Sequence, residues 1–174
     1  MLALTLQSAT DHLARHGVVR DGHSWLTSAP SAPVATMERL QVPRLVPCAR
    51  VIAGHLNAEG GNPVVLLIDE RGIWPSSEDW LPPTLIRRHG GLGEAACDFD
   101  GFPGMLLAGH ERAELVSLLA CCLSGGLGFM AAGHSGIGGV GAAVRINHDG
   151  NGWVAGSDAA AAERSARFLA DAAG

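Results

Sequence analysis

The chain's clearest structural pattern is GMLLAGHERAELVSLLACCLSGGLGFMAAG, residues 104–133. In its middle, apolar residues recur at i, i+3, i+4 and i+7, the spacing of one face of an α-helix. These residues are Leu115, Leu118, Leu119 and Cys122. Glu111 and Glu114 oppose the helix dipole in the predicted first turn, and the glycines at 125–126 end the helix. Short apolar runs flank it, so the pattern predicts a strand, a helix and a strand with the leucine row buried.

A second apolar run, Val64-Val65-Leu66-Leu67-Ile68, predicts a central strand. It is β-branched and has no polar alternation, which is typical of a strand covered on both faces. The patterns together predict a compact α+β or α/β fold with one mixed sheet of about five to six strands and about three to four helices. We expect one domain over residues 1–174, with the proline-rich loop 28–47 as the only candidate linker.

The remaining segments predict secondary structure that completes this domain. We predict a helix over 5–16 with a capping box beginning at Ser8 and an apolar stripe that includes Leu6. A hairpin follows to residue 27, and the loop 28–47 holds a short helix at 34–40. Residues 48–56 form a strand or a helix, and residues 69–72 form a turn.

The C-terminal part of the chain reads as a hairpin and a last helix. Strands at 142–147 and 153–155 enclose a tight turn. Ser157 or Asp158 caps a helix that runs to about residue 172. Its predicted inward residues are Ala161, Ser165, Phe168, Leu169 and Ala172.

Composition excludes several kinds of function. All twelve basic residues are arginine, so lysine-dependent Schiff bases and phosphate loops are excluded, and the absence of tyrosine excludes a phenolic acid or base. This bias is typical of a high-GC bacterial genome. The net charge is −5 and the arginines are scattered, which argues against nucleic-acid binding and favours a basic protein partner.

Cysteine usage and hydropathy predict a cytoplasmic protein. Cys48, Cys97, Cys121 and Cys122 form no Cys-x-x-Cys pair and no disulfide framework, so we interpret them as reduced thiols. No apolar run reaches the roughly 18 residues that a membrane span needs. The amino-terminal residues lack the basic region of a secretory signal.

No motif predicts a cofactor. The glycine run 136–141 superficially matches a dinucleotide-binding loop, but no helix follows it to receive a pyrophosphate. Asp69, Glu70 and Asp79 are candidate acid–base or magnesium-binding carboxylates, and they are also ordinary turn and cap residues. Ser135 lies outside a nucleophile-elbow frame, and sequence alone does not show whether a cysteine has a histidine base beside it.

A metal site is an alternative interpretation of the histidines. His110 and Glu114 lie at i and i+4, as the ligands of a zinc-protease helix do, although a glutamate replaces the second histidine. His134 and His148 are the candidates for completing such a site. This group would make the protein a metal-dependent or nucleophilic hydrolase.

The favoured hypothesis is that the protein binds another macromolecule and catalyses no reaction. The class is that of small immunity, inhibitor or accessory proteins, and a homo-oligomer is also compatible with the sequence. Two tryptophans flank a polar loop, and an acidic loop follows it, which is typical of an interface. The predicted binding surface is Trp74, Glu78, Asp79, Trp80, Asp98 and Asp100.

Overall fold

The computed structural model describes residues 1–22, 24–27, 34–37, 45–56, 62–70, 104–124, 126–133, 142–156 and 158–173. The strands are β1 (Leu2–Leu4), β2 (Val18–Asp21), β3 (Ser24–Thr27), β4 (Val34–Met37), β5 (Val64–Glu70), β6 (Gly104–Leu107), β7 (Gly128–Gly133), β8 (Ala143–Ile146) and β9 (Gly152–Ala155). The helices are α1 (Leu6–Arg15), α2 (Leu45–Leu56), α3 (Arg112–Ser124) and α4 (Ala159–Ala173).

Seven strands form one sheet in the order β1-β6-β5-β7-β8-β9-β4, and β2 pairs with β3 in a separate hairpin. The predicted α+β class is confirmed, with more strands than expected. Each pairing between described neighbours is antiparallel, whereas a mixed sheet was predicted. The reason lies in the strand–helix–strand unit, because β6 and β7 flank β5 instead of pairing with each other. Such a split unit needs no parallel ladder.

The central strand β5 divides the core into two layers. Val64, Leu66 and Ile68 belong to one buried cluster, and Val65 and Leu67 belong to the other. Successive strand residues point to opposite faces, so a strand that is apolar throughout needs cover on both sides. The prediction that both faces of β5 are covered is therefore confirmed.

Helices α2, α3 and α4 contribute to the cluster on the first face. The predicted leucine row is buried there, with Leu118, Leu119 and Cys122 fully inaccessible to solvent. Helix α2 approaches the sheet closely at Gly133, where a Cβ atom would lie 1.8 Å from the carbonyl oxygen of Leu56. A glycine in β7 is thus what allows the end of α2 to lie against the strand.

Helix α1 and the β2–β3 hairpin contribute to the cluster on the second face, through residues that include Leu13, Val18 and Trp25. The predicted capping box is wrong, because the cap is Thr5, whose hydroxyl accepts from the amide of Ser8. Leu6 is 43% exposed. The helix therefore begins at Leu6, one residue after its cap, and Leu6 lies outside the buried stripe that Ala9 and Leu13 form.

Three predicted segments differ from the structure. A helix was predicted at 34–40, but residues 34–37 form strand β4, which pairs with β9 at the sheet edge. The segment 48–56, predicted as a strand or a helix, lies within helix α2. Residues 69–70, predicted as part of a turn, continue β5 beyond a register shift. Edge pairing and strand length depend on distant partners, which local sequence does not report.

Helix α4 is capped as predicted, since the Asp158 carboxylate accepts from the amide of Ala161. Its inward face differs from the prediction in two positions. Phe168 is 61% exposed, whereas Ala162 is buried beside Leu169. The buried face of α4 is rotated about the helix axis relative to the predicted face. The alanine-rich sequence distinguishes the buried face only weakly.

Candidate functional site

A groove runs between α2 and α3 on the side of these helices that faces away from the sheet. Its volume is about 670 Å³, within the range of about 300–1,000 Å³ typical of ligand-binding clefts. The lining residues are Val46, Arg50, Arg112, Ala113, Val116, Ser117 and Ala120. The groove combines a mainly apolar surface with two guanidinium groups.

Helical periodicity explains why these residues lie together. Val46 and Arg50 are four residues apart and share one stripe of α2, while Cys48, Ala49 and Ile52 lie on its buried face. Helix α3 is arranged in the same way, since its leucine row is buried and its other stripe borders the groove. Packing the apolar stripes against the sheet therefore places the remaining stripes side by side.

Both arginines border the groove, one from each helix. The guanidinium of Arg112 lies against α2 at Gly54, where a Cβ atom would lie 3.3 Å from Nη2. Arg50 is one helical turn before Gly54 and shares its stripe. Throughout the part of the chain that the structure describes, neither arginine forms an ion pair with a carboxylate. The guanidinium of Arg112 thus lies about one helical turn along α2 from the backbone of Arg50.

His55 and Ser165 form a polar link between α2, α4 and the sheet. Nε2 of His55 donates to the carbonyl oxygen of Ala155 at 2.8 Å, because a carbonyl can only accept. Nδ1 of the neutral ring then accepts from the Ser165 hydroxyl, also at 2.8 Å. Burial lowers the pKa of His55 below its usual 6.5, and its hydrogen bonds to backbone carbonyls oppose this effect only in part.

This pair has the composition of a nucleophile and its base, but the surroundings indicate a structural role. Ser165 lies within α4, and neither its side chain nor His55 lines the α2–α3 groove. Acyl transfer needs space for a substrate and donors for the oxyanion. Sequence analysis missed the pair because 110 residues separate its members.

Glu111 connects the start of α3 to the amino terminus. Its carboxylate accepts hydrogen bonds from the Met1 ammonium group and, at 2.8 Å, from the amide of Ala108. Burial by itself would raise the pKa of Glu111, but these two hydrogen bonds and the attraction of the ammonium group and His110 outweigh it. The pKa therefore lies below the usual 4.5. Glu111 was predicted as a first-turn carboxylate, and it lies immediately before the first residue of α3.

Arg145 is a buried cation inside the sheet, with 7% of its surface exposed. Its Nη1 donates to the carbonyl oxygens of Phe129 and Ile146 at 3.0 and 2.5 Å. These bonds compensate for part of the cost of removing a guanidinium group from water. Arg145 thus serves the fold, unlike the two arginines of the groove.

The described cysteines do not have the properties of nucleophiles. Cys48, Cys121 and Cys122 are free thiols. Burial raises the pKa of all three, and for Cys122 the proximity of Cys121 adds to the rise. A reactive cysteine needs a lowered pKa, because the thiolate is the attacking species.

The described histidines of the group proposed as a metal site lie far apart. His110 precedes the first residue of α3, whereas His148 borders a cavity of about 100 Å³ at the other end of that helix. Thirteen helical residues span about 20 Å. His148 instead lies 3.4 Å from the carboxylate of Asp149.

Glu114 is half-buried on α3, and His134 lies outside the described residues. Among the residues that can be placed, no group of three or more histidine, cysteine, aspartate or glutamate residues could hold a metal ion.

Several other predicted sites lie outside the described residues. These are the binding surface of Trp74, Glu78, Asp79, Trp80, Asp98 and Asp100, the glycine run 136–141 and Ser135. Asp69 and Glu70 can be placed only as residues of β5. The predicted interface therefore stays a prediction.

Comparison with known proteins yields no relative. No protein-family model, curated protein or solved structure matches the chain. No helix among the described segments is long and apolar enough to cross a membrane.

Proposed function

We propose that the protein acts by binding another protein, as an immunity, inhibitor or accessory protein, and catalyses no reaction of its own. The observation that carries this proposal is the α2–α3 groove. It offers an apolar surface and two arginines to an external molecule. Arginine is enriched at protein interfaces, and grooves between helices commonly receive a segment of a partner.

The polar groups inside the described core support the same proposal. His55, Glu111 and Arg145 each bond to a backbone carbonyl or amide of the chain itself. A catalytic group must instead be positioned to reach a substrate. Because these groups hold elements of the fold together, we infer that the protein acts through its surface.

Charge and cysteine chemistry extend the proposal to location and partner. Free, buried thiols with raised pKa values suit a reducing compartment, so we place the protein in the cytoplasm. The net charge of −5 attracts a partner with net positive charge over long distances. Neither property favours nucleic acid, because phosphate binding needs a basic surface.

The direct test is to capture, identify and reconstitute the partner. The full chain is used as bait in an extract of its source organism, and each captured protein is produced separately for calorimetric titration. We expect one protein to bind with a fixed stoichiometry and a dissociation constant of about 1 µM or lower. A chain that binds no purified candidate saturably would contradict the proposal.

The same preparation tests the hydrolase alternative. We expect elemental analysis to find less than stoichiometric zinc, and we expect a chelator to leave partner binding unchanged. Stoichiometric zinc that is lost on replacing His110 and His148 with alanine would instead favour the hydrolase. Replacing Trp74, Glu78 and Asp98 then tests whether the sequence-predicted surface contributes to the complex.

A further inference from the structure

We propose that the α2–α3 groove binds an acidic segment of the protein partner. The segment's carboxylates pair with Arg50 and Arg112, and its apolar side chains pack against Val46, Val116 and Ala120. This inference rests on the proposed function and specifies which part of the partner is recognised: an acidic segment of a protein whose overall charge is positive.

The placement of the two arginines along α2 defines the charge pattern of the segment. Arg112 reaches from the start of α3 to Gly54, and Arg50 lies one turn earlier on α2. Two carboxylates separated by one helical turn, at i and i+3 or i+4, have a matching spacing. The groove therefore selects a helical segment with acidic residues at that interval over one with a single charge.

Charge complementarity identifies the occupant as acidic. Neither guanidinium has a carboxylate partner within the described segments. Arginine binds carboxylates with two parallel hydrogen bonds, and such bonds are stronger where apolar walls exclude water. Glu111, the carboxylate next to Arg112 in sequence, is already bonded to the Met1 ammonium group and the Ala108 amide. No carboxylate of the described segments thus competes with an external anion for these two charges.

The apolar lining identifies the occupant as a protein segment. Val46 is 46% exposed although it lies on the groove, which leaves apolar surface to be covered. An inorganic anion would pair with the arginines and leave this surface in water. A nucleic acid would need further basic groups nearby, whereas the chain carries a net charge of −5. A helical segment with one apolar and one acidic stripe satisfies both parts of the groove.

The test uses a phage-displayed library of random peptides of about twelve residues, about three helical turns. The full chain is the target, and the enriched sequences are synthesised with a fluorescent label for anisotropy titration. We expect enrichment of peptides with acidic residues at i and i+3 or i+4 among apolar residues. Replacing those carboxylates with amides is expected to weaken binding tenfold or more.

Variants of the chain locate the binding site. Arg50→Gln and the double variant Arg50→Gln/Arg112→Gln are expected to weaken peptide binding about tenfold or more. The matched control is Arg164→Gln/Arg167→Gln on the exposed face of α4, with an expected change below about twofold. Arg50→Gln is informative alone, because Arg50 is exposed and has no fold-internal partner in the described chain.

Several results would overturn this inference. The library could yield no enriched peptides, or peptides with a neutral or basic consensus. The control variant could lose as much peptide affinity as the groove variants. The simple carboxylate hexanoate, or an oligonucleotide, could displace the peptide at the peptide's own concentration. If the groove variants bind the captured partner as well as the native chain does, the inference is wrong while the proposed function stands. If no partner binds, the proposed function fails independently of the peptide result.

Discussion

Helices α2 and α3 present two unlike surfaces. On the sheet side, Ile52, Leu118 and Leu119 are fully buried in a continuous apolar core. On the opposite side, Val46 is half exposed and two arginines border an open groove without carboxylate partners in the described chain. The difference indicates that the sheet side supplies stability, and we propose that the groove side supplies recognition.

Polar groups show the same division. His55 lies in the last turn of α2, Glu111 lies immediately before α3, and both are bonded to other parts of the fold. Removing either should therefore change stability. Removing Arg50 should instead change binding, because its charge does not hold any described element in place.

The largest effect is expected on the sheet side. Leu118→Ala leaves a cavity in the core and should lower the free energy of unfolding by about 2–5 kcal/mol. Val46→Ala removes apolar atoms from the exposed groove side and should lower it by less than about 1 kcal/mol. Chemical denaturation measures both, and equal effects would contradict the division between the two surfaces.

A smaller effect is expected at the start of α3. Glu111→Gln removes the charge that the Met1 ammonium group and the Ala108 amide bind, and it should cost about 1.5–3 kcal/mol. Glu163→Gln on the exposed face of α4 is the matched control, with an expected change within about 0.5 kcal/mol.

The same residue predicts a pH dependence. The folded-state pKa of Glu111 lies below 4.5, so its contribution is fully present above that pH and is lost as the pH falls towards the folded-state pKa. Glu111→Gln should remove this part of the acid sensitivity. An unchanged acid profile in the variant would mean that the carboxylate is not bonded in the folded protein.

The His55–Ser165 link should contribute least of the three. Ser165→Ala leaves Nδ1 of His55 without its donor and should cost about 1 kcal/mol. Ser117→Ala is the control, because within the described chain its hydroxyl bonds only to the Ala113 carbonyl one turn earlier in its own helix. If both variants lose the same stability, the link does not hold α2 and α4 together.

His55 should make the stability of the fold depend on pH in a second range. Because its folded-state pKa is below 6.5, the unfolded chain takes up a proton first as the pH falls. Stability should decrease below about pH 6.5, by at most about 1.4 kcal/mol per pH unit, and level off below the folded-state pKa. His55→Gln keeps a donor for the Ala155 carbonyl and should abolish this slope, which denaturation at several pH values would measure.

Sequence patterns predicted the parts of the fold that depend on local periodicity. The leucine row of α3 and the apolar run of β5 are buried as predicted, because the helical and strand repeats fix which side chains share a face. The helix predicted at 34–40 and the inward position predicted for Phe168 were wrong, since distant strand pairing and packing determine both.

The functional features were less predictable. Nothing in the sequence distinguishes Arg50 and Arg112 from the other arginines. The packing of α2 against α3 brings them to one groove. The His55–Ser165 pair likewise depends on contacts between helices far apart in the chain. Tryptophan and acidic residues suggested an interface at 74–100, a region that has no overlap with the groove residues.

The most direct test of the division between folding and recognition is a paired measurement on Arg50→Gln/Arg112→Gln. Its free energy of unfolding and its affinity for the selected acidic peptide are compared with those of the native chain. We expect stability within about 0.5 kcal/mol of the native value and affinity reduced about tenfold or more. Unchanged affinity, or a loss of stability of several kcal/mol that accompanies the loss of affinity, would contradict the division between folding and recognition.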